Sequence, residues 1–176
     1  KIGTAVKITL KSNGFSARFV PQKIGSALSS VQVDKNKLCK KGAEFVVMEE
    51  ENRIFVGITK AVQLYEDYGA RDFGRPMRDS RSGMLPPKLA RIMVNLATKS
   101  CPTSPTEQGS IIDPFCGSGT ILTEAALVGW KNIYGNDISN EAINSTKENF
   151  KWTLKDKAES LNTTFKTGDA RTINKT

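Results

Sequence analysis

The stretch Asp113-Pro114-Phe115-Cys116-Gly117-Ser118-Gly119-Thr120 decides the fold. It stands between a short apolar run at 110–112 and a helix-compatible segment at 120–128 that Gly129 ends. Gly117 and Gly119 let the backbone turn tightly and approach a ligand with no Cβ in the way, and a helix starting beyond them offers unpaired N–H groups. Downstream, 132–135 is a second apolar run, 141–154 a second helical segment with Ser139 as its cap, and 163–166 a third run. Strand, helix, strand, helix, strand is the signature of a parallel α/β sheet, so the expected fold class is α/β.

Three carboxylates sit where such a sheet presents its strand ends. Asp137 lies 18 residues beyond Gly119, after the second strand, where an acidic side chain can accept hydrogen bonds from both ribose hydroxyls; Ile138 follows it. The position three after Gly119 is Leu122, so the third glycine of a dinucleotide fingerprint is missing. Asp113 opens the turn and suits a ligand whose near end is cationic, as in S-adenosylmethionine. The alternative is that Asp113 only caps the turn through its own side chain. Asp169 and Ala170 follow the third strand, where a carboxylate can meet an adenine amino group.

These residues resemble a known family. DPFCGSGT (113–120), TEAALVGW (123–130), YGNDIS (134–139) and TGDAR (167–171) look like the Rossmann-type S-adenosylmethionine-dependent methyltransferases. The upstream RDFGRPMRDSRSGMLPPKLARIMVNLA (71–97) resembles the RNA methylase family that includes the THUMP-associated tRNA guanine-N2-methyltransferases. The resemblance implies the first three strands of a Rossmann-like sheet and S-adenosyl-L-methionine as cofactor. It implies a cofactor loop at Asp113, Pro114, Phe115, Cys116, Gly117, Ser118, Gly119 and Thr120, ribose contact at Asp137 and adenine contact at Asp169. A leader segment containing Leu85 and Pro86 would lie beside the loop. The expected activity is methylation of an exocyclic guanine amine in tRNA, by an enzyme of the cytoplasm.

Upstream of the sheet, charge is the informative quantity. Residues 1–100 carry 18 basic and 9 acidic side chains, residues 101–176 carry 8 and 9, and the chain as a whole has net charge +8. A basic half recruits polyanions, nucleic acid first, by displacing counterions from phosphates. Residues 1–64 read as a small β-rich domain, with strands at 4–10 and 16–20 around Asn13-Gly14, and at 44–48 and 53–59 around 49–52. The implied counterpart is the end of an RNA-binding module. Residues 65–84 read as an irregular basic linker. Within and after it, Arg71, Arg75, Arg78, Arg81 and Lys88 are candidate phosphate ligands, with ion pairing to Asp72 and Asp79 as the competing reading. From 85 to 176 the chain reads as the methyltransferase part, entered by a helix at 88–97 whose Leu89, Ile92, Met93 and Leu96 mark one buried face.

One departure from the family stands out. Amine methyltransferases of this kind carry Asp/Asn-Pro-Pro-Tyr/Phe after a fourth strand, and no such tetrapeptide occurs here. The expectation is a C-terminally truncated piece with cofactor determinants and no catalytic residues. Its first residue is Lys1, which reads as a trimmed piece of an intracellular protein. With no histidine, mechanisms that need an imidazole are excluded. Three widely spaced cysteines without a CxxC pair support neither a zinc site nor a disulfide framework. Apolar runs reach only four residues, far from a membrane span. Cys116 reads as a packing residue rather than a nucleophile, and Trp130 and Trp152 as packing residues rather than base-stacking platforms. A DNA amino-methyltransferase and a non-catalytic RNA-binding module are the competing functions.

Overall fold

The computed structural model describes residues 2–22, 27–79, 83–99 and 109–173, which fall into two compact units, Lys1–Tyr65 and Glu66–Thr176. The first unit departs from the β-rich expectation. It contains helices α1 (Ile2–Ser12), α2 (Ser30–Lys35) and α3 (Leu38–Lys41) and a single hairpin of strands β1 (Phe45–Glu50) and β2 (Arg53–Ile58). The alternating Val6, Ile8 and Leu10 that suggest a strand lie on α1, and 16–20 is not a strand. Asn13-Gly14, read as a hairpin turn, instead terminates the helix. Phe15 N–H donates to Leu10 O and Gly14 N–H to Lys11 O, with Gly14 at φ +82°, a Schellman motif. A left-handed glycine serves either role, so the dipeptide alone cannot separate them. Ser29 and Gln32 form a capping box that starts α2. The hairpin itself is where the sequence places it, with Phe45 paired to Ile58 and Glu50 to Arg53.

The second unit carries the α/β pattern. Helix α4 (Tyr65–Phe73) replaces the expected irregular linker at its start, and α5 (Pro87–Lys99) follows. Then come strand β3 (Ser110–Asp113), helix α6 (Thr120–Val128), strand β4 (Asn132–Asp137), helix α7 (Asn140–Leu154) and strand β5 (Asn162–Thr167). The three strands are parallel in the order β3-β4-β5, registered Asp113 to Gly135 to Phe165, which is the first half of a Rossmann-like sheet. Ser139 caps α7 by accepting from Ala142 N–H. Gly129 ends α6 in the left-handed region at φ +119°.

The core is built between the sheet and α6–α7 from Leu122, Ala125, Ile133, Ile143, Phe150 and Trp130. Phe150 meets Phe165 edge to face at 5.2 Å between ring centres. Trp130 is thus a packing residue, while Trp152 is partly exposed. Helix α5 does not bury the face expected from its spacing: Leu89, Ile92, Met93 and Leu96 are each 44% or more exposed. Ala90 and Val94 are buried instead, and α5 packs on α6. The small side chain of Ala90 permits a close helix approach that a stripe of larger residues does not.

Candidate functional site

The turn after β3 is fixed from three sides. Cys116 N–H donates to Asn136 O at 2.9 Å on β4, and Gly119 N–H to Cys116 O at 2.8 Å. From α7, Thr146 Oγ1 donates to Gly117 O at 2.8 Å and Asn149 Nδ2 to Ser118 O at 3.0 Å. Gly117 and Gly119 have φ of +53° and +82°, in the left-handed region that favours glycine. The two differ in why a side chain is absent. A Cβ on Gly119 would come within 2.9 Å of Thr146 Cγ2, so that glycine lets α6 approach α7. A Cβ on Gly117 would enter open space, so that glycine keeps the mouth of the turn clear.

Asp113 and Asp137 meet at this turn. Asp137 accepts from Gly117 N–H and Ser139 N–H, one on each oxygen, both at 2.9 Å. Asp113 Oδ1 accepts from Phe115 N–H at 3.0 Å, the local cap that was the alternative reading of this residue. Each carboxylate retains lone pairs beyond these bonds. No Lys or Arg among the described residues pairs with either one. Two carboxylates without a cation between them favour a positively charged ligand group. Phe115 and Ile138, 75% and 79% exposed, flank the two strand ends and offer apolar contact.

Burial pushes the Asp113 carboxyl above its ordinary pKa, the Phe115 N–H opposes this, and the charge of Asp137 adds to it. A carboxyl raised in the folded state contributes stability that is complete in acid, below its ordinary value, and lost as pH climbs through the raised one. Asp113→Asn keeps an oxygen for Phe115 N–H and removes that loss. The variant is expected to be more stable than the parent at about pH 7 and no more stable at about pH 3, while binding a cationic ligand more weakly. Urea unfolding at both pH values checks it, and a fall in stability at neutral pH would overturn it.

Asp169 follows β5, tied to the same end of the sheet through Gly168, whose N–H donates to Asp137 O and whose carbonyl accepts from Asn136 Nδ2. Its carboxylate is engaged by Arg171 through backbone N–H, Nε and Nη2, which hold its pKa below the usual range. Ala170 begins the short 3-10 turn that Asp169 caps. In the leader, Pro86 O accepts from Ala90 N–H, and Pro87 lines a small cavity together with Ser118 and Thr120. Leu85 is partly buried and Pro86 exposed. Cys116 is buried, and burial raises its thiol to about 11, so it is a packing residue and not a nucleophile.

Three arginines of this region, Arg71, Arg75 and Arg91, are engaged within the protein. Arg71 Nε donates to Glu124 Oε1 at 2.6 Å, and Arg91 Nη1 reaches Glu124 Oε2 at 3.4 Å. Arg75 is buried and donates to Thr120 Oγ1 at 2.6 Å. These arginines bond to residues of α6, Arg71 and Arg91 to the Glu124 carboxylate and Arg75 to the Thr120 hydroxyl, while the charge of Asp72 also acts on Arg75. Arg78 and Lys88 are exposed, with Lys88 Nζ 5.7 Å from the Tyr68 ring centre. Arg81 lies outside the described residues. Sequence reasoning missed Thr146, Asn149 and Glu124. For Glu124 a signal existed, a lone carboxylate inside the otherwise apolar run of α6. No cluster of three or more potential metal ligands occurs among the described residues, and no helix there is long and apolar enough to cross a membrane.

Residues 75–173 match the family model described as RMKL-like, methyltransferase domain. The tRNA (guanine(10)-N2)-dimethyltransferase of Pyrococcus abyssi is 40% identical over 82 residues, which are 47% of this chain and 20% of that protein. The enzyme of the same name from Methanothermobacter thermautotrophicus is 46% identical over 68 residues, 38% of this chain and 18% of its own length. That of Methanocaldococcus jannaschii is 51% identical over 57 residues, 32% and 14% respectively. The chain thus covers a fifth or less of each of these relatives.

Proposed function

The chain belongs to the RMKL-like methyltransferase-domain family, and on that premise we propose that it provides the S-adenosylmethionine site of an enzyme that methylates the exocyclic N2 amine of guanine in tRNA. The observation that carries the cofactor part is the uncompensated Asp113–Asp137 pair around the open mouth of Gly117. The cofactor has a cationic ammonium and sulfonium at one end and a ribose with two hydroxyls in the middle, which matches that donor and acceptor set. Asp113 would face the cationic end, Asp137 would accept from the ribose with its remaining lone pairs, and Phe115 and Ile138 would flank the adenine. Asp169 reads adenine only where its carboxylate shares lone pairs with Arg171.

Bound there, S-adenosylmethionine supplies an electrophilic methyl group. The work of this chain is binding and orientation: Thr146 and Asn149 hold the carbonyls of the turn inward, and the carboxylates balance the charge of the ligand. The substrate part rests on the names of the relatives and on the basic balance of residues 1–100. Arg78 and Lys88 are the exposed residues of the candidate row that remain available to phosphate. Widely spaced thiols and a tRNA substrate favour the cytoplasm.

Titration calorimetry with S-adenosylhomocysteine tests the site. Asp137→Ala is expected to weaken binding by roughly 1.5–3 kcal/mol, the range for hydrogen bonds to a charged group. Because Asp137 also holds Gly117 and Ser139, Asp137→Asn serves as the variant with the turn bonded on one side. Unchanged affinity in both folded variants would overturn the assignment.

A further inference from the structure

Arg75 is only 6% exposed, yet one donor alone is used: Nη1 bonds Thr120 Oγ1, while Nε and Nη2 have no partner among the described residues. A guanidinium does not give up its proton in a protein, so the two unused donors stay as a fork inside a poorly solvated region. The Arg75 side chain also lines a cavity of about 10 Å³ at the start of α6, together with Ser118, Thr120, Thr123, Asn149 and Thr153. That volume suits one water molecule. Glu124 also lines the cavity, and its negative charge opposes a halide ion there. A water oxygen can accept from Nε and Nη2 together and donate its own hydrogens to hydroxyl or carbonyl oxygens of the lining.

We propose that Arg75 is a positioning residue for the glycine turn, and that it acts through one buried water held by Nε and Nη2 at the start of α6. The segment that carries it is pinned to the same place. Asn149 Oδ1 accepts from Met77 N–H and its Nδ2 donates to Met77 O and Ser118 O, each at 3.0 Å, so one amide joins the Arg75 segment to the turn. Holding the inner side of the turn by donors leaves its outer side free for a ligand. The inference rests on the reading of that turn as a cofactor loop.

The test uses the whole 176-residue chain, its Arg75→Met and Arg75→Lys variants, and three readouts: long-lived water by water–protein NMR contacts, amide hydrogen exchange, and S-adenosylhomocysteine affinity. The parent is expected to hold one long-lived water at the cavity. Arg75→Met should lose it, speed exchange at residues 117–121 by about tenfold relative to β4 amides, and weaken binding, while Arg75→Lys restores part of each. A dry cavity, an ion in place of water, or a folded Arg75→Met with unchanged exchange at 117–121 would overturn the proposal. Should Arg75→Met fail to fold, the parent's water and the Arg75→Lys exchange decide it. If the parent does not bind S-adenosylhomocysteine, the cofactor reading fails, while water and exchange still decide the role of Arg75.

Discussion

Replacing Glu124 with Ala is expected to destabilise the second unit by about 3–5 kcal/mol, the cost of removing one partner from a buried ion pair. Glu124 is 1% exposed and is the carboxylate on which Arg71 and Arg91 converge, from α4 and α5. Taking it away leaves two guanidinium groups facing an apolar helix, with buried Arg75 nearby. The Arg91 contact contributes less than that of Arg71, because it is longer and a third of the Arg91 side chain reaches solvent, where the interaction is screened. Arg91→Ala should therefore be mild and Arg71→Met severe. A combined Glu124→Leu, Arg71→Met, Arg91→Leu replacement should recover most of the loss, since an apolar cluster of similar volume avoids the desolvation cost of the ions. Urea unfolding followed by circular dichroism measures all four. A Glu124→Ala protein within about 1 kcal/mol of the parent would mean that the arginines find solvent instead of staying buried.

The same cluster explains what could be read from the sequence and what could not. The βαβαβ order and the turn were legible because each is a local event. Glycines at 117 and 119 set the turn, Ser139 caps α7, and apolar runs of strand length alternate with helical ones. The face of α5 was not legible in this way. Its spacing singles out Leu89, Ile92, Met93 and Leu96, but which stripe is buried depends on the partner surface, and α6 selects Ala90 and Val94. The internal partners of the arginines were not legible for a related reason. Eight positive charges in excess suggest phosphate, whereas a single buried carboxylate 53 residues from Arg71 claims that side chain. In the first unit, period-two alternation over 4–10 competed with a helix closed by Gly14, and the Schellman motif decided the outcome. Among the candidate site residues, the placement of Asp113 and Asp137 at strand ends was legible. Thr146 and Asn149, which hold the turn, were not, because polar residues on a helix carry no sign of which carbonyl they will meet.

Incubated with labelled S-adenosylmethionine and unmodified tRNA, this 176-residue chain is expected to bind the cofactor and transfer no methyl group. Transfer to an amine requires the nitrogen to be held in line with the methyl at near-attack distance, and such positioning can supply roughly 7–11 kcal/mol of the barrier. It also requires an acceptor for the hydrogens of the amine, so that its lone pair turns toward the methyl. In the family the chain resembles, the Asp/Asn-Pro-Pro-Tyr/Phe tetrapeptide performs both tasks, and none of the 176 residues forms one. On the proposed reading the carboxylates at the strand ends serve the cofactor, so none of them is expected to serve the amine: Asp137 accepts from Gly117 and Ser139 N–H, Asp113 from Phe115 N–H, and Asp169 from Arg171. A separation of binding from turnover is therefore the signature to look for: calorimetric affinity for S-adenosylhomocysteine that Asp137→Ala weakens, with label in tRNA at background. Label above background that Asp137→Ala abolishes would show that the catalytic groups are among these residues after all. A longer chain that adds the tetrapeptide should gain turnover with little change in cofactor affinity, because on the proposed reading the turn and the two strand ends beside it make the cofactor contacts.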